Sequence, residues 1–204
     1  MIAIIDYDAG NIKSVEKACQ FLGEETILTG DRDVILSADK VILPGVGAFG
    51  DAMDKLHKHN LVNTIYDVVD KKTPFLGICL GLQLLFENSE ESKGVAGLGI
   101  LKGDIVRFPN EICNEGMKIP QIGWNSLKLQ NDGRLFKGIK DDSYVYFVHS
   151  YYLKAKEESI VKATTDYGVL VHASVEKDNV FACQFHPEKS GDVGLNIIRN
   201  FAQL

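Results

Sequence analysis

Apolar and polar positions follow two patterns along this chain, and the change between them predicts its architecture. In the first half, strand-like runs at residues 2–7, 26–29, 40–43 and 74–78 alternate with stretches whose apolar residues recur at helical spacing. Ile12, Val15, Cys19 and Leu22 mark one such face, with Asn11 as the expected cap and Gly23 as the end. A second helical stretch covers residues 51–70, with a break expected near Asn60, and a third covers 80–87. This β-α-β-α order, joined by right-handed crossovers, predicts an α/β fold: a mostly parallel, flavodoxin-like central sheet flanked by helices. From about Gly97 the pattern changes. Residues 100–108, 121–129, 144–153, 160–165, 169–175 and 180–185 read as strands, with a turn at Lys177-Asp178-Asn179 and a closing helix over 193–202. These strands predict an antiparallel β extension in the second half. No repeat or Pro/Ser-rich linker interrupts the chain, so residues 1–204 are read as a single domain.

Composition narrows the picture. Hydrophobic residues make up 45% and charged residues 25%, which supplies a core and excludes wholesale disorder. The formal net charge of -6 argues against nucleic acid as a main partner. The longest apolar runs are far shorter than the roughly 20 residues that span a bilayer, so no membrane is expected. The opening Met1-Ile2-Ala3-Ile4-Ile5-Asp6 lacks a basic segment and a cleavage site, and reads as a first strand of a cytoplasmic protein. Four cysteines, Cys19, Cys79, Cys113 and Cys183, form no C-x-x-C pair, and disulfides are not expected in that compartment. His57 and His59 lie two apart, which on a helix points them about 200° from each other, so no metal and no cofactor are expected.

The chemistry concentrates in three motifs. Gly77-Ile78-Cys79-Leu80-Gly81 sits where a buried strand meets a helix and has the form of a nucleophile elbow with cysteine in place of serine. Flanking glycines permit a sharp turn, and a helix starting at Leu80 would place its positive end and free N–H groups near the sulfur. The plainer reading is a buried cysteine in a tight turn. Phe185-His186-Pro187-Glu188 follows the last strand and supplies a base with an orienting acid, as a cysteine nucleophile requires. By itself that histidine also reads as structural; the order Cys then His-x-Glu favours a triad. Gly45-Val46-Gly47-Ala48-Phe49-Gly50 matches a dinucleotide fingerprint, which expects an acid at the end of the next strand. That strand ends in Cys79, and Asp67 and Asp70 fall on or just after a helix, so the loop is better read as a mobile turn beside the nucleophile.

Together with Leu82-Gln83-Leu84-Leu85-Phe86-Glu87 after the elbow, these residues resemble the class I, triad-type glutamine amidotransferases. Within that class, Leu43-Pro44-Gly45-Val46-Gly47, Gly123-Trp124-Asn125, Tyr146-Phe147-Val148-His149-Ser150-Tyr151 and the opening Ile5-Asp6-Tyr7-Asp8-Ala9-Gly10-Asn11 resemble the glutaminase subunits of imidazole glycerol phosphate synthase, in histidine biosynthesis. The likeness covers essentially the whole chain. It departs from the family at Leu82, where methionine is common, and at Ser150, where threonine is also seen; neither touches the triad.

The resemblance implies that Cys79 attacks the carboxamide of glutamine, that His186 moves the proton and that Glu188 holds the imidazole. Backbone donors for the oxyanion would be Leu80 and the loop of Val46 and Gly47. Gly47, Gln83, Ser150 and Tyr151 would hold glutamine. The ammonia would pass to a partner, a (β/α)₈-barrel cyclase/synthase subunit, in a heterodimer; a paralogous ammonia-using synthase is the alternative. His149 reads as either structural or interfacial. Trp124, the only tryptophan, is expected at the partner interface, against the alternative of a core residue in the β extension. Two other classes compete: a cysteine hydrolase acting alone, and a non-enzymatic module with one reactive thiol.

Overall fold

The computed structural model describes the chain from Met1 to Leu204 except Ala9, Gly10 and Asn131, and the side chain of Glu115. The Ala9-Gly10 part of the opening motif therefore lies outside the described residues. The first half runs β1 (Ile2–Ile5), α1 (Ile12–Phe21), β2 (Thr26–Thr29), α2 (Arg32–Ser37), β3 (Lys40–Gly45), α3 (Phe49–Lys58), α4 (Leu61–Asp70), β4 (Phe75–Cys79) and α5 (Leu80–Leu84). The second half runs β5 (Asn88–Ser89), β6 (Gly103–Arg107), β7 (Gln121–Ser126), β8 (Lys128–Leu129), β9 (Tyr144–His149), β10 (Tyr151–Ala155), β11 (Val161–Asp166), β12 (Leu170–Lys177), β13 (Val180–Cys183) and α6 (Gly191–Ala202).

Eight strands form the main sheet in the order β2-β1-β3-β4-β13-β12-β11-β8. The five from β2 to β13 pair in parallel and the remaining three pair antiparallel. The opening order 2-1-3-4 is the flavodoxin-like one. Side chains of β1 divide by parity: Ala3 and Ile5 enter one core with Met53, Leu56, Ile65 and Val68 of α3 and α4. Ile2 and Ile4 enter the other with Val15 and Cys19 of α1 and Ile197 and Phe201 of α6. A strand covered on both faces has no polar side to show, which is why β1 reads as an unbroken apolar run.

Several expected boundaries shift. The stretch at 51–70 is two helices, and Asn60, with φ of 56°, makes the break. Helix α2 escaped the periodicity because it has only six residues; Asp31 caps it by accepting from Asp33 and Val34 N–H. Asn11 precedes α1 in a left-handed conformation but makes no side-chain cap. The expected strand at 144–153 turns at Ser150 and divides between ladders, β9 pairing with β7 and β10 with β6. The second-half extension is accordingly three antiparallel strands on the main sheet plus two small separate sheets, in one of which β5 and β6 pair in parallel. Helix α5 ends at Leu84 rather than 87, so a single turn follows the elbow and its dipole is correspondingly small.

Candidate active site

Cys79 closes β4 with φ 55° and ψ −108°, a conformation that costs a non-glycine residue about 1–3 kcal/mol. The flanking glycines make room for it. A Cβ on Gly81 would stand 1.9 Å from the Leu43 carbonyl oxygen, and one on Gly77 would stand 2.8 Å from the carbonyl oxygen of Gly81. Helix α5 can therefore start directly against β3, which leaves the Cys79 side chain at the carboxyl edge of the sheet.

Strand β13 lies beside β4, with Cys183 opposite Ile78, and delivers His186 to the same edge. The His186 backbone is fixed: its N–H donates to the Tyr146 carbonyl at 2.9 Å and its own carbonyl accepts from Ser190 Oγ at 2.6 Å. Nδ1 lies 2.8 Å from Glu188 Oε1, and the two side chains are 2% and 0% exposed, so this pair is closed to water. In the neutral ring the proton sits on Nδ1, against the carboxylate, and Nε2 keeps its lone pair. Nε2 is buried and has no hydrogen-bond partner among the described residues, and His186 lines the same cavity as Cys79. Burial pulls the His186 pKa down, but Cys79 and Glu188 outweigh it and raise it to about 9. Asn11 Nδ2 donates to the same Glu188 oxygen at 2.8 Å, so the side chain expected to cap α1 instead holds the acid.

These groups border a cavity of about 340 Å³. It brings together Val46, Gly47, Cys79, Leu80, Gln83, Ser150, Tyr151 and His186, with Glu188 just behind the histidine. The glycine loop is anchored at both ends: buried Tyr7 donates its hydroxyl to the Pro44 carbonyl at 2.9 Å, and Phe49 N–H donates to Glu91 at 2.7 Å. Gly47 has φ 101°, which favours glycine. Asp67 pairs with Arg32 and stands at no strand end, so the dinucleotide pattern lacks its ribose acid.

The other cysteines stand apart. Burial pushes Cys19 up to about 12 and Cys183 well above its ordinary value, while Cys113 is exposed. His59 Nε2 lies 2.9 Å from Asp8, and no group of three metal-ligating side chains forms among the described residues. Among the described residues no helix is long and apolar enough to cross a membrane. Trp124 lies outside the cavity on β7, 55% exposed and edge-on to Tyr146, so it is not a core residue. Ile122 and Tyr144, 62% and 58% exposed, accompany it on the β7–β9 ladder.

Sequence reasoning left His149 open, read Asn11 as a cap and, with Tyr7, as part of the opening motif without a role in the site, and passed over Gln184. His149 is 6% exposed, with Nδ1 2.9 Å from the Tyr151 carbonyl and Nε2 3.0 Å from Gln121 Oε1. Burial chiefly lowers its pKa, against the bond to Tyr151 and with help from His186, to about 4. Gln184 precedes Phe185 as a polar residue inside a buried strand end, which was the available signal.

Comparison with known proteins agrees with this geometry. The family described as "Glutamine amidotransferase class-I" matches residues 3–204, and the chain belongs to that family. PurLQS from Thermotoga maritima superposes with a TM-score of 0.76 at 19% identity, over 99% of this chain and 97% of that one, a likeness of fold. Full-length relatives narrow the assignment. The chain is 52% identical over 204 residues to "Imidazole glycerol phosphate synthase subunit HisH" of Methanocaldococcus jannaschii, covering 100% of both. It is 50% identical to the protein of that name from Caldanaerobacter subterraneus, covering 100% of this chain and 98% of the relative. Within the class-I amidotransferases, the chain belongs with these HisH subunits.

Proposed function

We propose that the 204 residues form one glutamine amidotransferase domain that hydrolyses glutamine to glutamate and hands the ammonia to a synthase partner in histidine biosynthesis. The observation that carries this reading is the meeting of a strained Cys79 with the closed His186–Glu188 pair at one cavity. With its proton passed to His186 Nε2, the sulfur attacks the side-chain carbonyl carbon of glutamine, and Glu188 stabilises the imidazolium. Negative charge builds on the carbonyl oxygen, and the N–H of Leu80 with one from Val46 or Gly47 receives it. Removing one such donor typically costs about 10²–10³ in rate. As the tetrahedral intermediate collapses, the C–N bond breaks and His186 returns its proton to the leaving ammonia. Water then cleaves the γ-glutamyl thioester and restores the thiol. Gly47, Gln83, Ser150 and Tyr151 hold the glutamine.

Ammonia loses its nucleophilicity when protonated in bulk water, so it must pass directly to an acceptor. The family resemblance supports, as that partner, a (β/α)₈-barrel cyclase/synthase subunit in a heterodimer, working in the cytoplasm on a phosphoribulosyl formimino aminoimidazole carboxamide ribotide. The exposed Ile122, Trp124 and Tyr144 supply an apolar face for that partner. Cys79→Ala tests the division of labour: glutamine-dependent synthesis should vanish while ammonia-dependent synthesis by the partner remains. Equal loss of both would overturn the reading.

A further inference from the structure

We propose that Gln184 is a positioning residue for the nucleophile, held with its amide N–H on the Cys79 sulfur by a hydrogen-bond chain that starts at the Tyr151 carbonyl. Gln184 is 0% exposed and has no part in the steps above. Its backbone N–H donates to the Ala173 carbonyl at 2.8 Å, which fixes the main chain against β12. Its side chain bridges two groups of the cavity: Oε1 is 3.0 Å from Gln83 Nε2, and Nε2 is 3.7 Å from Cys79 Sγ.

The polarity of this bridge follows from one fixed acceptor. Gln83 Nε2 also lies 3.1 Å from the Tyr151 carbonyl oxygen, which has no proton to give. Gln83 must therefore turn its NH₂ toward Tyr151, and the second proton of that nitrogen points at Gln184. Gln184 must then present its oxygen to Gln83, which leaves only its NH₂ to face the sulfur. Turning either amide would set donor against donor or acceptor against acceptor inside a dry site. An N–H aimed at sulfur favours thiolate over thiol. The chain thus converts a backbone carbonyl on β10 into a donor at the nucleophile. The proposal rests on the reading of Cys79 as that nucleophile.

The titratable groups facing Cys79 are His186 with Glu188 behind it, His149, Tyr7, Tyr151, Cys183 and Glu91. A change at Gln184 leaves all of them in place, so the pH dependence of the sulfur's reactivity isolates the amide. Gln184→Met removes the donor at nearly constant volume. In the full-length protein, iodoacetamide alkylation of Cys79 should shift to higher pH by about one unit, with peptide mapping to separate it from exposed Cys113. The kcat for glutamine should fall about tenfold while KM changes less than about twofold. An unmoved alkylation midpoint overturns the relay, whatever happens to stability. Should Gln184→Met fail to fold, Gln83→Met decides the matter: it frees the Gln184 amide to turn, so the midpoint should rise by a smaller amount, and no rise overturns the relay. Failure of the wider reading looks different, because a glutamine-like electrophile would then leave Cys79 unlabelled.

Discussion

Replacing His149 with methionine should remove one limb of the protein's stability–pH curve. The imidazole is buried between the Tyr151 carbonyl and the Gln121 amide, and burial lowers its pKa from 6.5 to about 4. Tyr151 can only accept, so in the neutral ring Nδ1 carries the proton and Nε2 keeps its lone pair. The folded state thus resists a proton that the unfolded chain takes readily below 6.5. Stability from this group is complete above 6.5, is lost as pH falls toward 4, and changes no further below that. At about 1.4 kcal/mol for each pH unit, the interval from 6.5 to 4 is worth about 3 kcal/mol. Urea unfolding followed by far-UV circular dichroism at pH 7.5, 5.5 and 4 would read it. At pH 7.5 His149→Met should be less stable by about 1–3 kcal/mol, since Tyr151 and Gln121 lose a buried partner. Acidification should then cost wild type about 3 kcal/mol more than the variant. Parallel curves would refute the reasoning, because they would mean that His149 titrates alike in both states.

Glu188→Gln should lower glutaminase kcat by up to about 10⁴-fold, yet less than loss of Cys79 or His186, because the amide still accepts from the ring but cannot balance imidazolium. Wild-type rates in that variant would leave His186 without its orienter. Trp124→Ala should weaken complex formation by about 2 kcal/mol or more in titration calorimetry while the isolated subunit melts nearly unchanged; a large drop in melting temperature would mean that Trp124 supports the fold. Isolated protein should bind glutamine but turn it over poorly, with partner plus ribotide raising kcat far more than lowering KM. Gly47→Ala, at φ 101°, should blunt that activation by straining one state of the loop, and high basal activity insensitive to the partner would refute a gated loop.

How much of this was legible in the sequence depended on the distance over which each signal acts. The elbow around Cys79 and the His186-Pro187-Glu188 segment are local, since spacing alone fixes which residues meet. The parallel core was legible because a doubly covered strand such as β1 must be apolar throughout. The break at Ser150 was not, because β9 and β10 are strands on either side of it and only their partners differ. Asn11 has a capping residue's position and type, but its side chain answers to an acid 177 positions away. The role of His149 turned on burial, which no local pattern records.

The placement of Cys79 and His186 on neighbouring strands has a consequence for how the chain is made. Cys79 and Gln184 meet across 105 positions of sequence, so β4 and β13 pair only after that whole excursion has been synthesised. Contacts of such long separation form late and slowly, because loop closure must be paid for first. On the ribosome, β4 therefore waits as an open sheet edge, and its thiol waits without base or orienting acid. A chain interrupted before β13 would carry an inert cysteine and a strand edge prone to foreign pairing. Chemical competence thus arrives only once β13 has followed β4 across that excursion and brought His186 and Glu188 to the thiol.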